Sequence, residues 1–326
     1  MFKLGIIGTG SISHEFIKAA HSTGDYQLAA VYSRTLASAE RFVQNYENTA
    51  IFTEMLDFLS SDIDVVYIAS PNSLHFNHAK IAILARKHVI VEKPAVSRPK
   101  EWRELVKLAD EHQVYLFEAA RNYHEQAFDT ISDFLKDKTV LGANFTYAKY
   151  SSKMQALLAG EQPNVFSAKF SGGALMDLGV YPVYVAIRLF GHPRFARYSA
   201  QQLANTIDLN GAGCLIYPDF QVQIQAGKNI NSNLPAEIYT NQGTLTLDGI
   251  EFISSAIFQN LDGQEERLPI QRASHTMLEE AQAFVRVLKG GQDAAYEKWL
   301  DAAAAVHESL FAMRKDAGIR FEVDDD

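Results

Sequence analysis

Two short stretches carry residue types suited to holding phosphate. The first is Gly8-Thr9-Gly10-Ser11-Ile12-Ser13, directly after the apolar run Leu4-Gly5-Ile6-Ile7. A buried strand that ends in glycines and turns into a helix offers bare backbone N–H groups and the positive end of the helix dipole to a diphosphate. Gly8 permits the tight turn and Gly10 a close approach of backbone to ligand. Ser13 stands where such turns prefer a third Gly or Ala, and is small enough to serve. The second stretch is Ser33-Arg34-Thr35, which ends the next apolar run, Gln27-Leu28-Ala29-Ala30-Val31-Tyr32. An acidic residue there would accept hydrogen bonds from the adenosine ribose of NAD, whereas a cation between two hydroxyls favours the 2′-phosphate of NADP. Asp25 is acidic and nearby, but it precedes the strand and reads as a turn residue.

These stretches need elements to position them. Ile12, Phe16, Ala19 and Ala20 fall at i, i+4, i+7 and i+8, an apolar stripe on one helical face. Strand, turn, helix and strand close in about thirty residues, the size of one βαβ unit. The alternation continues: strands over residues 64–69, 88–91 and 114–119, helices over 74–86 and 98–111. That rhythm predicts a parallel sheet covered by helices on both faces, with ligands at the carboxyl ends of its strands. Three further segments fall at such ends: Ser70-Pro71-Asn72, Glu92-Lys93-Pro94 and Glu118-Ala119-Ala120-Arg121.

Beyond Arg121 the pattern changes. A helix over residues 124–136 leads to a β-rich segment at 143–149 and a polar stretch at 151–171 that reads as a loop over the site. Gly172-Gly173 opens a helix that runs to Phe190, stopped by Gly191 and Pro193. Short strands follow over residues 197–268, split by turn signals at Asn210-Gly211, Pro218-Asp219, Asn241-Gln242-Gly243 and Asp248-Gly249, and they predict an antiparallel sheet. Two amphipathic helices, at 275–288 and 296–313, precede a solvated acidic end, Asp324-Asp325-Asp326.

The 326 residues are 47% hydrophobic, enough for two domains with cores of their own. A net charge of -9, without a basic stripe, excludes nucleic acid as a partner and points to small molecules. The lone Cys214, in a strand-like context, is expected to be a small core residue, with no disulfide framework and no cysteine-based metal site. The chain enters its first strand at once, and no apolar run suggests a bilayer span, so the expectation is a cytoplasmic protein without a signal peptide or membrane partner. His75 and His78 are spaced i, i+3, but no carboxylate or cysteine stands at ligand spacing beside them, and no metal is expected. His14 either reaches the diphosphate or faces solvent.

The Gly8-x-Gly10 turn, Ala69-Ser70-Pro71-Asn72 with His75 three residues on, Glu92-Lys93-Pro94, and Gly172-Gly173-Ala174-Leu175-Met176-Asp177-Leu178-Gly179-Val180-Tyr181 together resemble the glucose-fructose oxidoreductase/inositol dehydrogenase (Gfo/Idh/MocA) family. The resemblance covers essentially the whole chain. It implies an α/β Rossmann domain, residues 1–120, followed by an α+β domain, residues 121–326, with an open, mostly antiparallel sheet that often forms a homodimer or higher homo-oligomer. The C-terminal helices would be able to pack back on the first domain. The implied activity is hydride transfer between NAD(P), here NADP with NAD as the alternative, and a hydroxyl or carbonyl carbon of a sugar, polyol or diol. By position, Lys93 becomes the catalytic lysine, with Glu92 and Pro94 shaping its loop, and Ser70, Pro71, Asn72 and His75 fall in the cofactor-contacting segment. Inositol dehydrogenases carry histidine where Tyr181 stands; tyrosine is similar to the dihydrodiol dehydrogenase and glucose-fructose oxidoreductase branch.

Proton chemistry tests the resemblance. When hydride moves, the oxygen on the same carbon must lose or gain a proton, and Tyr181 is the candidate acid/base. A phenol ionises near pH 10, so acting as base at about pH 7 to 8 requires roughly 3 to 4 kcal/mol of help. An ammonium about 4 Å away supplies about 4 kcal/mol at an effective dielectric near 20, so Lys93 could activate Tyr181 across a reacting C–O centre. Asp177 lies four residues before Tyr181, on the same helical face, where a carboxylate opposes phenol ionisation. It is therefore assigned to a substrate hydroxyl or to holding Lys93. Arg121 has two readings, a cofactor phosphate or a salt bridge with Glu125. Two other functions remain open, a non-catalytic dinucleotide-binding regulator and an NAD-dependent glycosidase.

Overall fold

The computed structural model describes residues 1–290 and 294–325. The chain divides into two compact units, one of Met1–Ala119 with Ser274–Leu300, the other of Ala120–Ala273 with Asp301–Asp326.

In the first unit the described residues form a six-stranded sheet. Its strands are β1 (Phe2–Ile7), β2 (Tyr26–Tyr32), β3 (Ala50–Phe52), β4 (Val65–Ile68), β5 (His88–Glu92) and β6 (Leu116–Ala119), in the order β3-β2-β1-β4-β5-β6. Every pairing is parallel. All residues of β4 and β6 are buried, as expected where helices cover both faces. Phe16, from the helix Ser11–Ser22, stacks on Tyr67 of β4 with centroids 4.0 Å apart. From the far end of the chain, the helix Leu278–Gly290 places Phe284 against Phe117 at 4.7 Å, and Met277, Ala281 and Val287 join the same core.

Two details differ from the sequence expectation. Ile12 is exposed, and the buried face of its helix is Ser13, Phe16, Ile17, Ala19 and Ala20. Between residues 36 and 60 the structure holds two short helices, Leu36–Val43 and Met55–Ser60, around β3. β3 has three residues, at the sheet edge, none of them fully buried, too few to display a period.

The second unit is built, among the described residues, on an eight-stranded sheet: β7 (Val140–Ala148), β8 (Phe195–Gln202), β9 (Asp208–Ile216), β10 (Gln221–Gly227), β11 (Ala236–Thr240), β12 (Gly243–Leu247), β13 (Ala256–Asn260) and β14 (Glu265–Arg267). The order is β14-β13-β12-β11-β7-β10-β9-β8. All pairs are antiparallel except β7 with β10. Phe145, Leu215, Val222, Ile224 and Leu245 from the sheet share one core with Val183, Val185 and Ile187 of the helix Val180–Phe190 and with Val306, Leu310 and Met313.

Several local expectations are corrected here. Asn210-Gly211 is no turn; it lies inside β9, with Gly211 opposite Ala200. Cys214 is half-buried in that strand and not a core residue. The polar stretch 151–171 contains a helix, Met154–Leu158, and two short 3-10 turns. Of the acidic end, Asp324 is not solvated: it takes an ion pair from the buried Arg314 at 2.5 Å and caps the Phe321 N–H at 2.9 Å. Asp326 lies outside the described residues. Contrary to expectation, one stretch, Ala168–Phe190, has the length and apolarity of a membrane span; 72% of its apolar window is buried within the fold, which accounts for its composition.

Candidate active site

The glycine turn sits at the carboxyl end of β1. Gly8 has φ +107°, and a Cβ there would come within 2.4 Å of the Ala69 carbonyl oxygen, so only glycine lets the chain turn beside β4. A Cβ on Gly10 would meet nothing within 4 Å, which leaves open space over the turn. Gly10 is the N-cap of the helix Ser11–Ser22 and no side chain caps it, nor does an acidic residue occupy the first turn. First-turn N–H groups uncapped by side chains and open space above them are what a diphosphate requires. Ser13 is fully buried, and its hydroxyl donates to the Gly8 carbonyl at 2.7 Å, so the third fingerprint position ties the turn together. His14 neither reaches over the turn nor faces solvent; it stacks on Phe42 at 4.2 Å and bonds the Tyr46 hydroxyl at 2.6 Å.

At the end of β2, the Ser33 N–H donates to Phe52 and Thr35 bonds Ser38. Arg34 between them is exposed. Among the described residues it has no acidic partner; its charge acts on His78, whose imidazole is pushed down to about 4 by burial first and then by His75 and Arg34. An uncommitted guanidinium at this strand end fits a 2′-phosphate.

After β4, Ser70 and Pro71 lead into the helix Asn72–Leu84, again without a side-chain cap. His75, 1% exposed, bonds the Ser70 carbonyl at 2.6 Å and the Pro94 carbonyl at 2.9 Å. Burial pushes its imidazole down, while those two carbonyls act in the opposite sense. His78 bonds Ser70 Oγ at 2.9 Å. Both rings are thus engaged within the loops, and no metal-binding group of three ligands occurs among the described residues.

Lys93 follows β5, half-buried, and the Lys93–Pro94 peptide is cis. Its loop is held from three sides. Glu92 accepts the Tyr67 hydroxyl at 2.5 Å and the Lys93 N–H at 3.2 Å. Glu118 accepts the Ala95 N–H at 3.0 Å, and His75 holds Pro94. Three of these ties act on the backbone at residues 93, 94 and 95, so the loop that carries Lys93 is held in place.

In the second unit, Gly173 (φ +118°) and the turn Leu175–Gly179, which is π-helical, precede the helix Val180–Phe190. Such a wide turn is uncommon and recurs at functional sites. Asp177 lies in the wide turn and Tyr181 in the first turn after it. The Tyr181 ring, 8% exposed, has the Arg121 guanidinium 5.6 Å from its centroid and the Tyr147 ring edge-on at 5.0 Å. Its carbonyl accepts from Asn122, which also donates to Ile250. Arg121 pairs with Glu251, and Glu251 also accepts the Tyr147 hydroxyl at 2.6 Å. Burial and Glu251 hold the Tyr147 phenol well above its ordinary range, so it stays a proton donor. Asp177 pairs with Lys228, which is 4% exposed. Tyr147, Lys228 and Glu251 carry no sequence signal; only the tertiary fold brings them to Tyr181 and Asp177.

Asp208 anchors the start of this segment. Its carboxylate accepts the Leu175 N–H at 2.7 Å and the Tyr198 hydroxyl at 3.2 Å, and a Cβ on Gly173 would lie 2.1 Å from it. Burial pushes the Asp208 carboxyl up to about 6, partly opposed by those donors. The folded value exceeds the ordinary one, so the contribution to stability is fully present below about pH 4 and is lost as pH rises through about 6. Roughly two units correspond to about 3 kcal/mol. Asp208→Asn, which keeps an acceptor for Leu175, is therefore expected to flatten the fall in Tm between about pH 4 and 6. An unchanged Tm profile would show that the carboxyl titrates normally.

The family profile described as oxidoreductase family, NAD-binding Rossmann fold (GFO/IDH/MocA) matches residues 2–120. The chain is 34% identical to the uncharacterized oxidoreductase YgjR of Escherichia coli K12, across 99% of both chains. It is 32% identical to IolU of Bacillus subtilis 168, a scyllo-inositol 2-dehydrogenase (NADP(+)), again across 99% of each. Its fold is that of KijD10, a 3-ketoreductase from Actinomadura kijaniata solved with NADP, at TM-score 0.82, 19% identity and 97% coverage of both chains. The fold, the dinucleotide turn and these relatives define an NAD(P)-dependent oxidoreductase. The chain belongs to the GFO/IDH/MocA oxidoreductase family.

Proposed function

We propose that this enzyme uses NADP to interconvert a hydroxyl and a carbonyl on a sugar, polyol or diol, with Lys93, Tyr181 and Asp177 as its catalytic residues. One observation carries the reading: Lys93 stands at the same carboxyl edge of the parallel sheet as the uncapped turn at Gly8–Ser11, on a loop fixed by Glu92, Glu118 and His75. Bound there, the dinucleotide supplies the hydride donor or acceptor. Gly8, Thr9, Gly10, Ser11 and Ile12 would cradle its diphosphate, Ser33, Arg34 and Thr35 its adenosine ribose and 2′-phosphate, and Ser70, Pro71, Asn72, His75 and Glu92 the segment leading to Lys93. Arg121 is engaged with Glu251 and serves the face of Tyr181.

The chain's own groups then manage the proton. In oxidation Tyr181 takes the proton from the substrate hydroxyl, and in reduction it returns it to the carbonyl oxygen. The Lys93 ammonium favours the negative charge that develops on that oxygen. Asp177, an acceptor, binds a hydroxyl beside the reacting carbon. IolU, named for an inositol as substrate, supports a polyol.

The preference for NADP rests on Arg34. Arg34→Ser should weaken NADP binding by roughly ten- to a hundredfold, the worth of charge-assisted hydrogen bonds to one phosphate, while NAD binding changes little. Calorimetric titration with both dinucleotides decides; equal losses for the two would remove Arg34 from the 2′-phosphate.

A further inference from the structure

Lys228 follows β10 directly, is 4% exposed, and pairs with the Asp177 carboxylate. Its Nζ lies 5.8 Å from the centroid of the Phe166 ring. Its backbone is fixed on both sides, the N–H donating to Leu209 at 2.7 Å and the carbonyl accepting from Ser151 at 2.8 Å. An ammonium so far from water persists only when neutralised and well bonded. The pair therefore defines Asp177 as ionised and held in place.

Asp177 precedes Tyr181 by four residues, and an isolated carboxylate at that range opposes loss of the phenolic proton. Pairing it with Lys228 replaces a single charge by a short dipole, whose field decays faster with distance. Other charged and titratable groups that face Tyr181 within its unit include Arg121 over the ring face, Glu251 paired with Arg121, and Tyr147 donating to Glu251. That set also contains a cation matched to an anion. We propose that Lys228 is a positioning residue for the proton-transfer step: it holds Asp177 as a hydrogen-bond acceptor for substrate while cancelling the effect of that carboxylate on Tyr181. The proposal rests on the assignment of Tyr181 as acid/base made above.

The test is a carbon-13 NMR titration of protein labelled at the tyrosine ζ-carbon, with the Tyr181 resonance assigned by its loss in Tyr181→Phe. Lys228→Met should move the Tyr181 titration midpoint upward by about one pH unit relative to the parent protein. Lys228→Arg should keep it within a few tenths, and Lys228→Met combined with Asp177→Asn should bring it back. If Lys228→Met does not fold, Lys228→Gln, which keeps a donor without the charge, carries the same expectation. A midpoint unmoved in the folded neutral variant, or a shift that persists once Asp177 is also neutral, overturns the proposal. The ring is read directly, so the result stands whether or not a chosen substrate is turned over. Failure of the hydride-transfer reading would appear separately, as a parent enzyme inactive with NADP across polyols, sugars and diols. With an active parent, the pH profile of kcat should shift in step with the NMR midpoint.

Discussion

Tyr181→Phe is expected to lower kcat/KM by roughly 10²- to 10⁴-fold, with NADP affinity nearly unchanged. The substitution removes one oxygen and keeps the ring, and the ring is what packs between the Arg121 guanidinium and Tyr147. A loss of that size is about 3 to 5 kcal/mol of transition-state stabilisation, more than removal of one exposed hydrogen bond would give. The neighbouring phenol does not substitute for it, because Tyr147 is held protonated by burial and by Glu251. Steady-state kinetics with calorimetric titration of NADP separate the two quantities. Activity within a few-fold of the parent would remove Tyr181 from the proton path.

Lys93→Met is the second large effect. Turnover should fall by roughly 10²- to 10⁴-fold as well, while NADPH binds nearly as before. The structural reason to expect this separation is that the loop backbone has ties of its own: Glu92 holds the N–H of residue 93, His75 the carbonyl of Pro94, and Glu118 the N–H of Ala95. Methionine keeps most of the length of the side chain and loses the ammonium, so folding and the dinucleotide turn are left intact. Fluorescence titration of NADPH alongside turnover checks both halves. Retained turnover excludes this mechanism, and joint loss of binding and turnover would make Lys93 a cofactor residue first.

The dinucleotide unit was legible in the sequence because its signals are local. Gly8 marks a turn whose φ and clearance demand glycine, Gly10 leaves open space over it, β4 is a short apolar run, and β4 and β6 are buried throughout. Arg34 could be placed because it ends the second apolar run, residues 27–32. β3 escaped notice because three partly exposed residues at a sheet edge set up no alternation. In the second unit, turn signals located Pro218-Asp219 and Asn241-Gln242-Gly243 correctly, at the β9–β10 and β11–β12 connections. The same reasoning failed at Asn210-Gly211, where β9 runs on through the dipeptide because both β8 and β10 pair along it. The parallel pairing of β7 with β10 joins residues about eighty positions apart, which no periodicity encodes.

The candidate site divides in the same way. Lys93, Asp177 and Tyr181 were nameable because motifs surround them. Lys228, Glu251 and Tyr147 reach the site through sheet packing. A lysine after Gln-Ala-Gly reads as a solvated strand end until the fold buries it. Asp208 shows the limit differently: nothing in Ile207-Asp208-Leu209 suggests a carboxylate that anchors a helix start 33 residues earlier in the chain.

The most direct test follows the hydrogen itself. A polyol or diol deuterated at the carbinol carbon is incubated with the enzyme and NADP, and the reduced cofactor is recovered and weighed by mass spectrometry. One deuterium should appear in the NADPH, together with a carbonyl product, and Lys93→Met and Tyr181→Phe should slow both alike. Unlabelled NADPH, or consumption of substrate with no reduced cofactor and no carbonyl product, would contradict the account.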